Sequence, residues 1–267
     1  MKTVLLTGAT DGIGRLTAHR LAEAGHRVLL HGRSADKLAA VAAEVGGQTE
    51  TYVADLSDLD AVERLASGVL ARHTQLDVLI NNAGVFKTSH PRTATGQDVR
   101  FVVNTIAPYL LTKRLLPILP TSGRIVNLSS AAQAPVDPEA LQGRVTLDDM
   151  GAYAQSKLAI TIWTRELARQ LPDGPLLVAV NPGSLLATKM VKEGFGVPGK
   201  NADIGVNVLL DAAFGDRFAG QSGAYFDNDA ARFADPHPAA LHSRHAAEVL
   251  AAVEAMIPAD ARGEVAR

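Results

Sequence analysis

The 267-residue chain has 47% hydrophobic and 20% charged residues, a globular composition that excludes a disordered chain. Its formal net charge of -2 provides no basic surface, so neither nucleic acid nor an anionic membrane is expected as a partner. Cysteine is absent, which excludes disulfides, thiolate metal sites and cysteine nucleophiles. No run approaches the ~18 apolar residues that span a bilayer. With no recognisable signal peptide, we expect a cytoplasmic protein without a membrane span.

Short apolar strands alternate with Ala- and Leu-rich helices along the whole chain. The predicted strands are 4–6, 28–31, 51–54, 78–81, 124–128, 176–180 and 223–226. The predicted helices are 13–24, 35–45, 59–72, 97–116, 152–171 and 246–257. This alternation predicts a Rossmann-like, doubly wound parallel sheet of about seven strands with helices on both faces, a three-layer α/β/α fold. No linker divides the sequence, so we expect one domain over residues 1–267 with its ligand at the carboxyl ends of the strands.

A glycine-rich turn, Thr7-Gly8-Ala9-Thr10-Asp11-Gly12-Ile13-Gly14, joins the first strand to the first helix. Glycines at this place let the backbone approach a pyrophosphate, while the helix N-terminus supplies N–H groups. A purely structural turn is the alternative, which the position after a first strand disfavours. The turn therefore predicts a dinucleotide site whose cofactor-binding residues include Gly8, Thr10, Asp11, Gly12, Ile13 and Gly14.

The end of the second strand indicates which dinucleotide is preferred. A site for NAD places Asp or Glu there to accept from the ribose 2′-OH, but this stretch reads His31-Gly32-Arg33-Ser34, with no carboxylate before Asp36. A guanidinium at Arg33 would attract a 2′-phosphate, and Arg15 is a second candidate cation. We expect NADP(H) to be preferred, with NAD(H) possible. The alternative is that Arg33 is an ordinary solvated loop residue.

Tyr153 and Lys157 are four residues apart in a predicted helix and so share one face. Lowering a tyrosine pKa by two to three units takes about 3–4 kcal/mol of preference for the phenolate. An ammonium roughly 5 Å away supplies about 3 kcal/mol at an effective dielectric of 20, and the charge of an oxidised nicotinamide would add to this. The pair predicts a general acid/base for carbonyl or alcohol chemistry.

These motifs, in this order, resemble the short-chain dehydrogenase/reductase family from residue 7 to about residue 226. The resemblance implies that Asp55 and Leu56 lie at the adenine and that Asn82, Ala83 and Gly84, in Asn-Asn-Ala-Gly, lie at the nicotinamide. It implies that Ser130 orients the substrate oxygen, with Ser129 as the fallback, and that Asn104 holds a water leading to Lys157. Tyr153 and Lys157 would also contact the cofactor. The remaining implied cofactor contacts are Ser34, Pro182, Gly183, Leu185 and Thr188.

A departure from many relatives is the 22-residue interval between Ser130 and Tyr153. Its segment 134–149 carries four acids and, with Tyr-Ala-Gln-Ser-Lys-Leu-Ala, resembles the retinol-dehydrogenase-like branch. That branch implies apolar or bulky carbonyl substrates. The stretch 190–200, rich in Gly and Pro, is a candidate substrate lid, with a plain surface loop as the alternative.

Other chemistries find less support in the sequence. His237, His242 and His245 could be metal ligands, but no carboxylate pair accompanies them, so we expect an exposed helix start and no metal. No Gly-x-Ser-x-Gly elbow of a serine hydrolase occurs. An epimerase or dehydratase would need a larger substrate domain.

We therefore expect an NADP(H)-dependent oxidoreductase acting on a small-molecule carbonyl or secondary alcohol. The alternative is an NADP(H)-binding redox sensor on the same fold, which would not need Tyr153 and Lys157 together. Relatives pair the long helices near Asn104 and Tyr153, so a homodimer or homotetramer is possible.

Overall fold

A computed structural model describes residues 1–262, and its described strands form one eight-stranded sheet. The strands are β1 Thr3–Leu6, β2 Arg27–Gly32, β3 Thr49–Val53, β4 Val78–Asn81, β5 Arg124–Leu128, β6 Leu176–Asn181, β7 Tyr225–Asp227 and β8 Arg232–Ala234. Their spatial order is β3-β2-β1-β4-β5-β6-β7-β8; β1 to β7 are parallel and β8 is antiparallel to β7. The predicted fold class is confirmed. The eighth strand was missed because its three residues, Arg-Phe-Ala, contain a single large apolar side chain and so show no apolar run.

The helices cover both faces of this sheet. The longer ones are α1 Gly12–Glu23, α2 Ala35–Val45, α3 Leu59–Leu70, α5 Ala107–Leu115, α7 Asp149–Gln170, α9 Asp203–Phe214 and α10 Ser243–Ala255. Short helices are α4 Val99–Phe101, α6 Pro138–Leu141 and α8 Lys189–Phe195. In β1, Val4 and Leu6 pack in the core with α1, α2 and α9, whereas Leu5 packs with α3, α5, α7 and α10. Burial of both faces explains the continuous apolar strands.

The predicted helix 97–116 is interrupted in the structure. Regular α-helix holds over Val99–Phe101 and Ala107–Leu115, and the intervening Val102–Ile106 is a π-helical turn in which the Ala107 N–H bonds to Val102 O. The interrupting turn contains Asn104. π-turns insert one extra residue into a helix and are frequent at functional sites, and a helical periodicity does not reveal them.

Among the described α-helices, α6, α8 and α9 were not predicted from the sequence. α8 lies largely within the segment 190–200 that was expected to be a lid or loop. α9 was not assigned, although Gly205, Val206, Val208 and Leu209 are buried at helical spacing, so the periodic signal was present. Within residues 1–262, no helix has the length and apolar character needed to span a bilayer. Because residues 263–267 lie outside the described residues, one domain over 1–267 stays a prediction.

The long interval before Tyr153 is tied to the body of the protein by a buried ion cluster. Arg100 is 1% exposed and donates to Asp98 Oδ1 at 2.8 Å, to Asp98 Oδ2 at 2.6 Å and to Asp149 in the first turn of α7. Asp98 is itself buried and caps α4. This cluster fixes the N-terminal end of the helix that carries Tyr153 and Lys157.

We expect Arg100→Ala to lower the free energy of unfolding by roughly 3–5 kcal/mol, because it leaves the buried Asp98 carboxylate without a cation. Urea unfolding at pH 7 measures the change. The control Arg244→Ala removes an exposed pair with Glu248 and should leave the unfolding midpoint unchanged. Equal, small effects of the two substitutions would contradict this role of Arg100.

Candidate active site

A cavity of about 650 Å³ opens at the carboxyl ends of the parallel strands, where the fold class places a ligand. It brings together nearly all residues predicted as site residues from the sequence. The predicted residues that line it are Gly8, Thr10, Asp11, Gly12, Ile13, Gly14, Arg33, Ser34, Asp55, Leu56, Asn82, Ala83, Gly84, Ser130, Tyr153, Lys157, Pro182, Gly183, Leu185 and Thr188. Arg15 and Asn104 do not line it.

The glycine turn is packed so closely that side chains are excluded. A Cβ on Gly14 would lie 2.1 Å from Gly8 O and 2.5 Å from Asn82 Nδ2. Gly8 and Gly12 have φ of 67° and 51°, a backbone region that favours glycine. Asp11 caps α1 by accepting from Gly12 N at 2.7 Å. The glycines of the turn therefore bring backbone, without side chains, to the wall of the cavity at the start of α1, the arrangement that anion binding at a helix N-terminus uses.

Asn82 holds this turn from the neighbouring strand. Its Nδ2 donates to Thr7 O at 2.8 Å and to Gly8 O at 3.1 Å, and its backbone N–H donates to Thr7 Oγ1 at 3.0 Å. The amide nitrogen of its side chain is thus used to join the ends of β1 and β4.

His31 is a site residue that the sequence analysis did not single out. The buried imidazole accepts from Gly8 N at Nδ1 over 3.3 Å, and its Nε2–H donates to Ala54 O over 3.0 Å. It therefore links the glycine turn to the end of β3. Burial lowers the pKa of His31 to about 4, so the imidazole is neutral at pH 7, as its acceptor role at Nδ1 requires.

The cations near the end of β2 differ from those expected. Arg33 and Ser34 line the cavity, and so does Lys37, whose N–H donates to Ser34 Oγ at 3.4 Å. Arg15 instead pairs with Glu44 of α2 at 2.5 Å. Arg15 does not join Arg33 at the cavity, because its guanidinium pairs with Glu44. Lys37 is instead a further cation at the cavity near the end of β2.

Tyr153, Lys157 and Ser130 meet at the other end of the cavity. Lys157 is buried, and its Nζ donates to Leu128 O at 2.7 Å and lies 5.7 Å from the centroid of the Tyr153 ring. Ser130 forms a hydrogen bond with Tyr153. The fallback Ser129 is engaged elsewhere, since its hydroxyl bonds with Thr161 Oγ1 at 2.7 Å. Of the two serines, Ser130 is therefore the one whose hydroxyl is associated with Tyr153.

Burial disfavours the charged forms of both Tyr153 and Lys157. It raises the pKa of the Tyr153 hydroxyl, against which the hydrogen bond with Ser130 acts, and it lowers the pKa of the Lys157 ammonium to about 8. The raised pKa of Tyr153 is opposite to the lowering that was expected from Lys157, because loss of hydration dominates. The chain's own residues thus leave Tyr153 protonated at pH 7.

Asn104 is one layer behind the cavity, in the π-turn. Its Oδ1 accepts from Val85 N at 2.8 Å, and its Nδ2 donates to Val85 O at 2.9 Å and to Ser156 Oγ at 2.9 Å. It thereby joins the segment after Gly84 to α7. A Cβ on Gly84 would lie 3.5 Å from Asn104 Oδ1 and 3.6 Å from Lys157 Nζ, so these polar atoms border the same small space.

Two of the three histidines considered as metal ligands cap helices through their side chains. His242 caps α10 by accepting from His245 N at 3.4 Å, and His237 Nδ1 accepts from Ala239 N at 3.2 Å. In the part of the chain that the structure describes, no group of three His, Asp or Glu side chains is arranged to hold a metal ion.

Comparison with known proteins identifies the family. A family model described as short chain dehydrogenase matches residues 2–195. Human retinol dehydrogenase 13 is 32% identical over 258 residues, covering 85% of this chain and 76% of that protein. Bovine retinol dehydrogenase 12 is 39% identical over 73% of this chain, but the match spans only 64% of the bovine protein.

Solved structures agree with this assignment. An uncharacterized protein from Mycobacterium paratuberculosis superimposes with a TM-score of 0.79 and 30% identity, covering 96% of this chain and 92% of that one. A short chain dehydrogenase from Escherichia coli CFT073, complexed with NADPH, gives a TM-score of 0.69 and 29% identity over 85% of this chain and 96% of its own.

The pKa of His31 makes a prediction about stability. Its pKa of about 4 in the folded chain lies below the ~6.5 of an unfolded histidine, so between these values only the unfolded chain binds the proton. Folding stability should therefore fall as the pH drops from 6.5 to 4, by about 3 kcal/mol from this group. Urea unfolding at pH 7 and pH 4.5 measures the loss.

His31→Asn should lose less stability than the parent protein over this range, because asparagine does not titrate. The control His19→Asn, at a partly exposed histidine, should keep the parent's dependence. An unchanged pH dependence in His31→Asn would refute the assignment.

Proposed function

The chain belongs to the short-chain dehydrogenase/reductase family, and we propose that it is an NADP(H)-dependent carbonyl or secondary-alcohol oxidoreductase of the retinol-dehydrogenase-like branch. Its relatives indicate an oxidoreductase that acts on CH–OH and C=O groups. The observation that carries the proposal is that Tyr153, Lys157 and Ser130 share one cavity with the glycine turn. The substrate would be small and apolar or bulky.

The residues of the cavity fit a nicotinamide dinucleotide. Gly8, Gly12 and Gly14 would hold its pyrophosphate, Arg33 and Lys37 its 2′-phosphate, and Asp55 its adenine. Gly84, Pro182 and Gly183 would lie at its nicotinamide, where Lys157 would bind the ribose. When bound, the cofactor supplies or accepts the hydride.

The proton of the reaction is moved by Tyr153. In the direction of carbonyl reduction, its hydroxyl donates a proton to the oxygen that becomes the alcohol, while Ser130 donates a hydrogen bond to the same oxygen. In the direction of oxidation, the phenolate accepts that proton. Because the pKa of Lys157 is about 8, its ammonium is largely present at pH 7 and stabilises the phenolate.

The implied role of Asn104, holding a water that leads to Lys157, is part of this proposal. Its side-chain bonds to Val85 and Ser156 support the related role of holding α7 against the segment after Gly84.

Preference for NADP(H) is supported by charge. Arg33 and Lys37 line the cavity near the end of β2, where an NAD site has an acidic side chain. A 2′-phosphate would gain charge-assisted hydrogen bonds from the guanidinium.

The assembly and cellular location stay predictions. α10 packs on α7, and the Tyr109 hydroxyl donates to Glu254 of α10 at 2.7 Å. A homodimer or homotetramer formed through the helices near Asn104 and Tyr153 would therefore have to use the parts of those helices that α10 does not cover. Residence in the cytoplasm rests on the sequence alone.

We expect Tyr153→Phe to abolish turnover of a carbonyl substrate, because the proton donor is lost while the apolar ring remains. NADPH binding, followed by fluorescence titration, should be retained. The control Tyr52→Phe removes a hydroxyl that bonds to Glu50 on β3 and should leave turnover unchanged. Substantial turnover in Tyr153→Phe would contradict the proposed mechanism.

The preference for NADP(H) can be tested by paired titration of the two reduced cofactors. Arg33→Ala should weaken NADPH binding by roughly tenfold to a hundredfold, the worth of hydrogen bonds to a charged group, and should leave NADH binding nearly unchanged. The control Arg27→Ala lies at the opposite end of β2, where it bonds Gln48. Tighter binding of NADH than NADPH by the parent protein would overturn the preference.

A further inference from the structure

The segment between Thr188 and Gly199, called the strap below, begins and ends at neighbouring residues that are joined by backbone hydrogen bonds. Ala187 N donates to Lys200 O at 2.7 Å, and Lys200 N donates to Leu185 O at 2.6 Å. The chain therefore leaves the body of the protein and returns to it at one place, with α8 between. Thr188 caps this helix by accepting from Val191 N at 3.3 Å.

Asp229, just after β7, contacts residues that flank the strap on both sides. Its carboxylate accepts from Ser184 N at 2.9 Å and from the Ser184 hydroxyl at 2.5 Å on the outgoing side. On the returning side it lies 3.9 Å from Lys200 Nζ. Leu185, next to Ser184, has a φ of 55°, an unfavourable value for leucine that these bonds maintain. The contacts of the residues that flank the strap therefore hold α8 in its position at the cavity.

Gly194 of α8 contacts Phe86 at the wall of the cavity. A Cβ on Gly194 would lie 2.7 Å from Phe86 Cδ1 and 2.8 Å from Phe86 Cε1. Gly194 lies within a helix and its φ is not positive, so the backbone does not require glycine here. Alanine would favour the helix more. The close approach of the Phe86 ring is what requires the missing side chain.

Phe86 packs on the tyrosine that would do the chemistry. The Phe86 ring is buried, and its centroid is 5.0 Å from that of Tyr153, with the rings tilted by 56°. The ring is therefore held between Tyr153 and α8, and it cannot turn away from one without moving against the other. Apolar Val85, Met190 and Val191 line the cavity beside it.

We propose that Phe86 is a specificity-determining residue, whose ring, fixed by Gly194, forms the wall beside the carbonyl carbon. This rests on the proposed function of Tyr153. A flat or unbranched apolar group attached to the carbonyl passes along the wall, whereas a group branched at the atom next to the carbonyl collides with it. The enzyme therefore selects carbonyl compounds by width at this atom rather than by polarity.

The role of Phe86 is tested with two aryl ketones and NADPH as the reductant. Acetophenone has a methyl group next to its carbonyl, and pivalophenone has a branched tert-butyl group at the same place. Phe86→Ala should raise kcat/KM for pivalophenone relative to acetophenone by about tenfold or more, the effect of a few methyl groups on selectivity. NADPH affinity should stay the same. If Phe86→Ala leaves the ratio of the two kcat/KM values unchanged and Tyr153→Phe is inactive, the role of Phe86 is refuted and the proposed function is retained.

The contact between Gly194 and Phe86 is tested by enlarging the first residue and reducing the second, an experiment that needs no substrate. Gly194→Ala should lower the urea midpoint of unfolding, although alanine favours the helix, and Phe86→Leu in the same chain should restore it. The control Gly68→Ala in α3, where a Cβ meets Tyr52 at 3.6 Å, should not lower it. A rise of the midpoint in Gly194→Ala alone would overturn the proposal. Turnover surviving in Tyr153→Phe would instead overturn the proposed function.

Discussion

The close contact between the glycine turn and the end of β4 is the constraint on which the rest of the site depends. The side chain of Asn82 bonds to two carbonyl oxygens of the turn, and no atom fits between Gly14 and Gly8 O. Because β1 and β4 are neighbours in the sheet, this contact lies at the point where the strand order reverses. The cavity opens at that point, and the two ends of a dinucleotide would lie on its two sides.

A second set of bonds carries this geometry to the catalytic side chains. Asn104 binds the segment after Gly84 on one side and Ser156 of α7 on the other. Lys157, the next residue, is held by a carbonyl of β5. The π-turn supplies the extra residue that brings Asn104 into reach of both, so a local irregularity of one helix positions the reactive pair of another.

Much of the fold and of the cavity lining could be predicted, because it depends on local pattern. Strands such as Arg124–Leu128 and helix Ala35–Val45 match the prediction at both ends, since apolar runs there are bounded by turn or capping residues. The motif residues at strand ends meet in space because parallel strands end on one edge. His31, Phe86 and Asp229 were not found, because their roles depend on distances between segments far apart in the chain. Arg15 was misplaced for the same reason: Glu44, its partner, is 29 residues away.

The same burial explains why tyrosine and lysine must occur together. Burial alone raises the pKa of Tyr153 and lowers that of Lys157 to about 8, so each group by itself is pushed toward its neutral form. An ion pair in a medium of low polarity is attracted far more strongly than in water, and forming the phenolate therefore favours the ammonium as much as the ammonium favours the phenolate. Removing Lys157 therefore leaves Tyr153 neutral, whereas Lys157, with a pKa of about 8, keeps most of its charge at pH 7 without help from Tyr153. The phenolate therefore forms only beside the ammonium, and any further positive charge brought into the cavity lowers the pKa of Tyr153 and favours its action as a base.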